Sequence, residues 1–246
     1  MARVPRRAEH VQQPAPSASE AQGGSIGAGS VESLYPFLYA SAVDPAKVLA
    51  EAHRSTLAKT REIIDLRAEV CVRTSGLLAS CARDMAARFT AGGRLLTFGN
   101  GGSATDAADL ATLFLCPPED AASLPAIGLA SDASVLTALA NDIGVEVIFA
   151  RQLGALGNSD DIALGLSTSG NSENLLRAFD EAKRIGMMTV GVSGYDGGKM
   201  AELGSLDYLF VAPSVSIHRI QEAQTTVYHI LWERVVAELD RNKVIT

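Results

Sequence analysis

The stretch Arg94–Phe114, RLLTFGNGGSATDAADLATLF, decides the fold. Leu95, Leu96, Thr97 and Phe98 read as a buried strand. Gly99 to Gly102 read as a tight turn, and a helix follows. Ser103 is the expected N-cap of that helix, and Ala107, Leu110, Ala111 and Phe114 make its apolar face. A glycine turn entering a helix aims several backbone N–H groups at one spot, where the helix dipole adds positive potential. That is the physics of a phosphate site. Gly99, Gly101 and Ala104 also satisfy the loose dinucleotide pattern G-x-G-x-x-G/A, so this stretch leaves both readings open.

A second copy separates them. Ile162–Ser172, IALGLSTSGNS, is again strand, hydroxyl-rich turn and helix start. Ser167, Thr168, Ser169 and Ser172 bracket Gly170 and Asn171. Two such turns in one parallel sheet suit a site that grips a phosphate with hydroxyls and amides and uses its asparagines on something adjacent. A dinucleotide fold needs only one, with an acidic residue closing the next strand about 20 residues on. Asp132 is the nearest candidate and lies too far along.

Outward from these turns the chain alternates. Strands are expected at 94–98, 125–130, 161–167, 188–193 and 207–212. Helices are expected at 103–115, 133–140, 144–156, 172–186 and 217–240, with a short turn near 199–203. Continuous apolar strands between helices predict an α/β fold with a parallel sheet covered on both faces. Ligands in such sheets bind at the carboxyl ends of the strands, where both turns lie. Tyr195-Asp196-Gly197-Gly198 reads as a turn at the same edge, on the rim of the pocket.

Upstream, residues 1–30 are rich in Ala, Pro, Gly, Ser and Gln and read as a disordered tail. Residues 31–92 read as two or more helices, one opening on Asp44-Pro45 and a second ending at Gly92-Gly93. They are too many to cover one face of a single sheet, so their spare apolar faces predict an oligomer. The 246 residues carry a net charge of −7, which argues against bulk binding of nucleic acid or anionic membrane. No apolar run approaches the roughly 18 residues of a membrane span, and the N-terminus lacks the apolar core of a signal peptide. Cys71, Cys81 and Cys116 have no metal-type spacing and fit reduced, buried thiols of a cytoplasmic protein.

GNGGSA at 99–104, Asn141-Asp142, STSGNS at 167–172, GYDGGKMAEL at 194–203 and RIQE at 219–222 together resemble the sugar isomerase (SIS) domain, in its phosphoheptose isomerase branch. The resemblance runs over residues 45–240 and places the domain at 93–242. It implies a flavodoxin-like three-layer sandwich with a five-stranded parallel sheet, preceded by helices, assembled as a homotetramer and binding a sugar phosphate such as sedoheptulose 7-phosphate. It implies that Ser167, Thr168, Ser169 and Ser172 hold the phosphate. Asn100, Gly101, Gly102, Ser103, Asp142 and Gln221 are then the sugar-end residues.

The implied reaction moves a proton between C1 and C2 through an enediol, so it needs a base, an acid and neutralisation of charge. The family uses a glutamate on the helix after GNGGS and a histidine on the last helix, and some members hold zinc among histidine, glutamate, glutamine and histidine. Here the glutamate position is Leu113, the helical histidine is Asp109, the basic residue beyond is Pro117, and the aspartate before RIQE is His218. Gln221 and His229 remain. His229 is therefore the expected catalyst, with Asp109 as substitute base and Glu222 sharing its helix face. A lone histidine on an apolar helix also suits a packed core or interface position. Asp109, Gln221 and His229 are the candidate Zn²⁺ ligands, although glutamine is a poor one.

Two functions fit. One is a ketose/aldose phosphate isomerase. The other is a non-catalytic sugar-phosphate sensor or scaffold that has lost its glutamate. Loss at Leu113 favours the second; the complete STSGNS turn favours the first.

Overall fold

The computed structural model describes residues 44–118 and 121–245. The expected tail, and the part of the helical region before residue 44, lie outside them. The chain divides into a unit up to His53 and a larger unit from Arg54.

A single helix, α1, runs from Pro45 to Thr90, where two were expected. Asp44 caps it as anticipated, its Oδ1 accepting from Ala46 N at 3.0 Å, with Pro45 in the first turn where no N–H is needed. No break occurs near Gly76. Val70, Thr74, Leu78, Cys81, Ala82 and Met85 keep one continuous buried stripe across it, and that packing outweighs the roughly 1 kcal/mol cost of one helical glycine.

The strands are β1 (Leu95–Gly99), β2 (Ala126–Gly128), β3 (Ile162–Ser167), β4 (Met188–Gly194) and β5 (Tyr208–Ala212). They form one parallel sheet in the order β2-β1-β3-β4-β5, the flavodoxin-like order. Between and after them come α2 (Gly102–Leu115), α3 (Ala133–Asp142), α4 (Ile148–Leu156), α5 (Glu173–Ile185) and α6 (Ile217–Ile245). The expected helix 144–156 opens instead as a 3₁₀ turn, Val145–Val147, before α4.

Side chains alternate across the sheet and build two cores. Leu95, Ile162, Leu164, Leu166, Val190 and Phe210 meet α1, α2 and α6. Leu96, Phe98 and Ala163 meet α4 and α5. Phe98 sits between Phe149 and Phe179, with ring centroids 5.5 and 5.2 Å away. A Cβ on Gly165, in the neighbouring strand, would stand 2.6 Å from both Phe98 and Phe179, which is why a strand interior tolerates glycine there.

An ion pair closes the amino edge of the sheet. Buried Asp161 accepts from Arg94 N (2.7 Å), Arg94 Nη2 (2.8 Å) and Asn158 N (3.0 Å). The cysteines are free; Cys81 is buried and Cys71 partly so. Cys116 is exposed against expectation, because it caps the end of α2 where the chain turns out to a loop.

Candidate functional site

Both glycine-bearing turns emerge at the carboxyl edge of adjacent strands, β1 and β3, whose register pairs Gly99 with Leu166. In the first turn Gly101, not Ser103, is the N-cap of α2. Its φ of 55° lies in the left-handed region, which glycine enters without penalty. Ser103 is thereby drawn into the first helical turn and is buried. Thr97 Oγ1 donates to Ala107 O at 2.6 Å and fixes α2 on β1.

The second turn is built from its own hydroxyls. Ser167 Oγ accepts from Gly170 N at 3.1 Å and lies 3.3 Å from Ser172 Oγ. Ser172 is the N-cap of α5, yet its hydroxyl makes no capping bond, so it stays directed at the turn. Thr168 and Ser169 are half-buried beside it. Asn171 is engaged elsewhere: its Oδ1 accepts from Lys199 N at 2.9 Å and its Nδ2 donates to Ser169 O at 3.0 Å. These bonds staple the Tyr195–Gly198 loop to the turn. On the outer side of the turn a cavity of about 930 Å³ opens between Ser169, Asn171, Tyr195 and Val215.

The start of α6 settles on both turns. A Cβ on Gly102 would collide with the Gln221 amide, so Gln221 lies against the first turn. Gln224, fully buried, donates from Nε2 to Ser167 O at 3.3 Å and to Val192 O at 3.4 Å. Glu222 faces elsewhere on the helix; its carboxylate pairs with Arg219, and its carbonyl accepts from Arg67 on α1.

The carboxyl that a Gln221 hydrogen bond acts on belongs to Asp106, a residue the sequence reading did not single out. Its Oδ2 is buried with no hydrogen-bond partner among the described residues. Burial and the charge of Asp109 push its pKa up to about 6, against a hydrogen bond from Gln221. Asp109 lies one turn further along α2 and is exposed. Buried Tyr228 completes the group: burial raises its pKa, Thr225 opposes this, and the Asp106 and Asp109 charges add to it. His229 is exposed and its ring stacks on Tyr228, centroids 5.1 Å apart.

Asp142 ends α3, exposed, accepting from the Asn141 side chain at 2.8 Å. Leu113 packs against the first core, so the position of the family glutamate is given over to packing. Among the described residues, no three histidines, cysteines or acids are grouped to hold a metal ion.

The sheet order and the paired turns define a doubly wound α/β domain with two glycine-bearing turns at its carboxyl edge. The SIS domain model matches residues 60–194. The chain is 41% identical to the phosphoheptose isomerase of Aquifex aeolicus over 173 residues, covering 70% of this chain and 86% of the relative. It is 47% identical to that of Helicobacter pylori over 140 residues, 56% of this chain and 72% of the relative. The solved phosphoheptose isomerase of Neisseria gonorrhoeae superposes with a TM-score of 0.70 at 31% identity, covering 76% of this chain and 99% of that one. The Francisella tularensis structure gives 0.67 at 33%, covering 74% and 96%. The chain belongs to the SIS domain family and, within it, to the phosphoheptose isomerases.

Proposed function

We propose that this protein interconverts sedoheptulose 7-phosphate and an aldoheptose phosphate. The second turn takes the phosphate on Ser167, Thr168, Ser169 and Ser172. The sugar then runs toward the first turn, where Gly101, Gly102, Ser103 and Gln221 meet its hydroxyls. One observation carries the chemistry: a buried, unpartnered carboxyl oxygen of Asp106 beside Gln221. With a pKa near 6 it is largely ionised at neutral pH, yet basic enough to take the C1 proton and return it at C2. His229 is the acid for the sugar oxygens, and Asp109 holds Asp106 in its raised state. Tyr228, buried and close enough to feel the charges of Asp106 and Asp109, keeps water from that side.

The assembly we propose is a homotetramer, working in the cytoplasm. Leu57, Ile64 and Val72 of α1 are exposed by 43, 57 and 80% at helical spacing, an apolar stripe suited to a second copy of the chain. No helix among the described residues is long and apolar enough to cross a membrane.

A coupled assay with sedoheptulose 7-phosphate, run beside a thermal-shift titration with the same compound, tests the reading. Turnover that disappears in Asp106→Asn supports it. A thermal shift without turnover favours the sensor instead, the reading that Leu113 supports.

A further inference from the structure

The two turns are tied to each other by a pair of side-chain amides. Asn100, in the first turn, donates from Nδ2 to Asn174 Oδ1. Asn174 donates from Nδ2 to Asn100 Oδ1. Both bonds measure 2.9 Å. Asn174 lies in the first turn of α5, two positions beyond Ser172, and is 6% exposed. A reciprocal amide pair uses a donor and an acceptor from each partner, so it fixes the orientation of the two groups as well as their distance.

Each turn is already shaped without this clasp. Ser103 N donates to Asn100 O at 3.0 Å in the first, and Gly170 N to Ser167 Oγ in the second. The β1–β3 ladder ends at the pairing of Gly99 with Leu166. Beyond that point the ladder no longer sets the spacing of the two turns. Asparagine is also a weak helix former, so its place in a buried helical turn calls for a reason outside the helix.

We propose that Asn174 is a positioning residue: through Asn100 it sets the span between the phosphate-gripping turn and the Asp106–Gln221 end of the site, and so selects the length of the sugar. This rests on the functional reading above. A ketose phosphate held by its phosphate must present C1 and C2 at the other end. A six-carbon ketose phosphate is one carbon shorter than a seven-carbon one. Across a fixed span it falls short of the proton-transfer residues; across a relaxed span the difference shrinks.

Calorimetric titrations of the full chain test this with sedoheptulose 7-phosphate, fructose 6-phosphate and inorganic phosphate. The variants are Asn174→Leu, which keeps the branched shape without the hydrogen-bonding groups, and Asn174→Ser, which keeps a polar group should the first fail to fold. The expected result is a loss of about tenfold or more in the preference for the seven-carbon over the six-carbon compound. Inorganic phosphate needs only the second turn and should bind as it does to the parent. An equal loss of affinity for all three ligands would overturn the proposal, since it would mark Asn174 as merely structural. So would an unchanged preference. A parent that binds neither sugar phosphate would overturn the functional reading and this inference together, whereas a parent that binds both equally would overturn the inference alone.

Discussion

The side-chain amide of Gln221 fills the space that a Cβ on Gly102 would need. One residue from the first turn and one from the last helix thus share a single position, and glycine at 102 is the condition for it. Gly102→Ala is expected to push Gln221 off the Asp106 carboxyl. Displacement by about 1 Å is enough to cost around 10²-fold in turnover. Gly102 is exposed at the start of α2, so the melting temperature should change little. Steady-state kinetics and a melting curve check both halves; unaltered kcat would show that Gln221 takes no part.

Asp106 carries a dependence on pH whose sign is fixed. Its folded pKa, about 6, lies above the ordinary 3.8. If the carboxylate is the base, kcat/KM rises as pH increases through about 6, and Asp106→Asn removes that limb along with turnover. Stability moves the other way. Between the two pKa values the folded chain holds the proton more firmly than the unfolded chain, so the parent loses stability as pH rises through that window. Urea denaturation at about pH 4 and about pH 7 should show this slope in the parent and not in Asp106→Asn. Equal slopes would mean that Asp106 is not perturbed.

The second turn predicts a binding loss. Ser169 and Ser172 are half-buried, and the Ser172 hydroxyl is left uncommitted by the helix it caps. Each hydroxyl taken from an ionic acceptor costs about 1.5–3 kcal/mol. Ser169→Ala combined with Ser172→Ala should therefore weaken binding of sugar phosphate by at least about 10²-fold, read by calorimetry. Parent-like affinity would remove the phosphate from this turn.

The sheet and its two turns were readable because each rests on local signals. Apolar runs at 95–98 and 162–166 announce buried strands, and GNGGS and STSGNS announce the turns after them. What escaped depends on contacts between distant segments. Asp106 is one polar position on an Ala-rich helix until α6 brings Gln221 against it. Asn100 reads as a ligand residue until Asn174 engages its amide. The unity of α1 was hidden by Thr74-Ser75-Gly76, weak helix formers that hold their conformation because Val70, Thr74 and Leu78 are buried against the sheet side. Ser103 looked like a cap because hydroxyls usually are; Gly101 took that role by adopting a backbone conformation closed to most residues.

Far from the site, Asp161 predicts a stability effect with no change in chemistry. Burial alone would raise its pKa, but the hydrogen bonds from Arg94 and Asn158 and the Arg94 charge outweigh it, and the net direction is down. A carboxylate held below its ordinary range stabilises the fold above that range and loses the contribution as pH falls through the folded pKa. Asp161→Asn turns one acceptor into a donor facing N–H groups and should cost about 3 kcal/mol at neutral pH, with a smaller cost in acid. Denaturant melts at neutral pH and at a pH below the ordinary 3.8 measure it. The kinetic constants of the folded fraction should stay those of the parent.

His229 gives the sharpest division between an enzyme and a sensor. It is exposed, and its ring lies on the buried ring of Tyr228, so packing orients it. It stands on α6, apart in sequence from the Ser167–Ser172 turn. His229→Ala should therefore retain the thermal shift given by sugar phosphate and inorganic phosphate while turnover falls by about 10²-fold or more, the usual worth of a positioned acid or base. His229→Asn, which keeps a hydrogen-bonding group without proton transfer near neutral pH, should fail in the same way. If both variants turn over sedoheptulose 7-phosphate like the parent, the acid must be sought elsewhere, first at Asp109, which lies beside Asp106 and in the field of Tyr228.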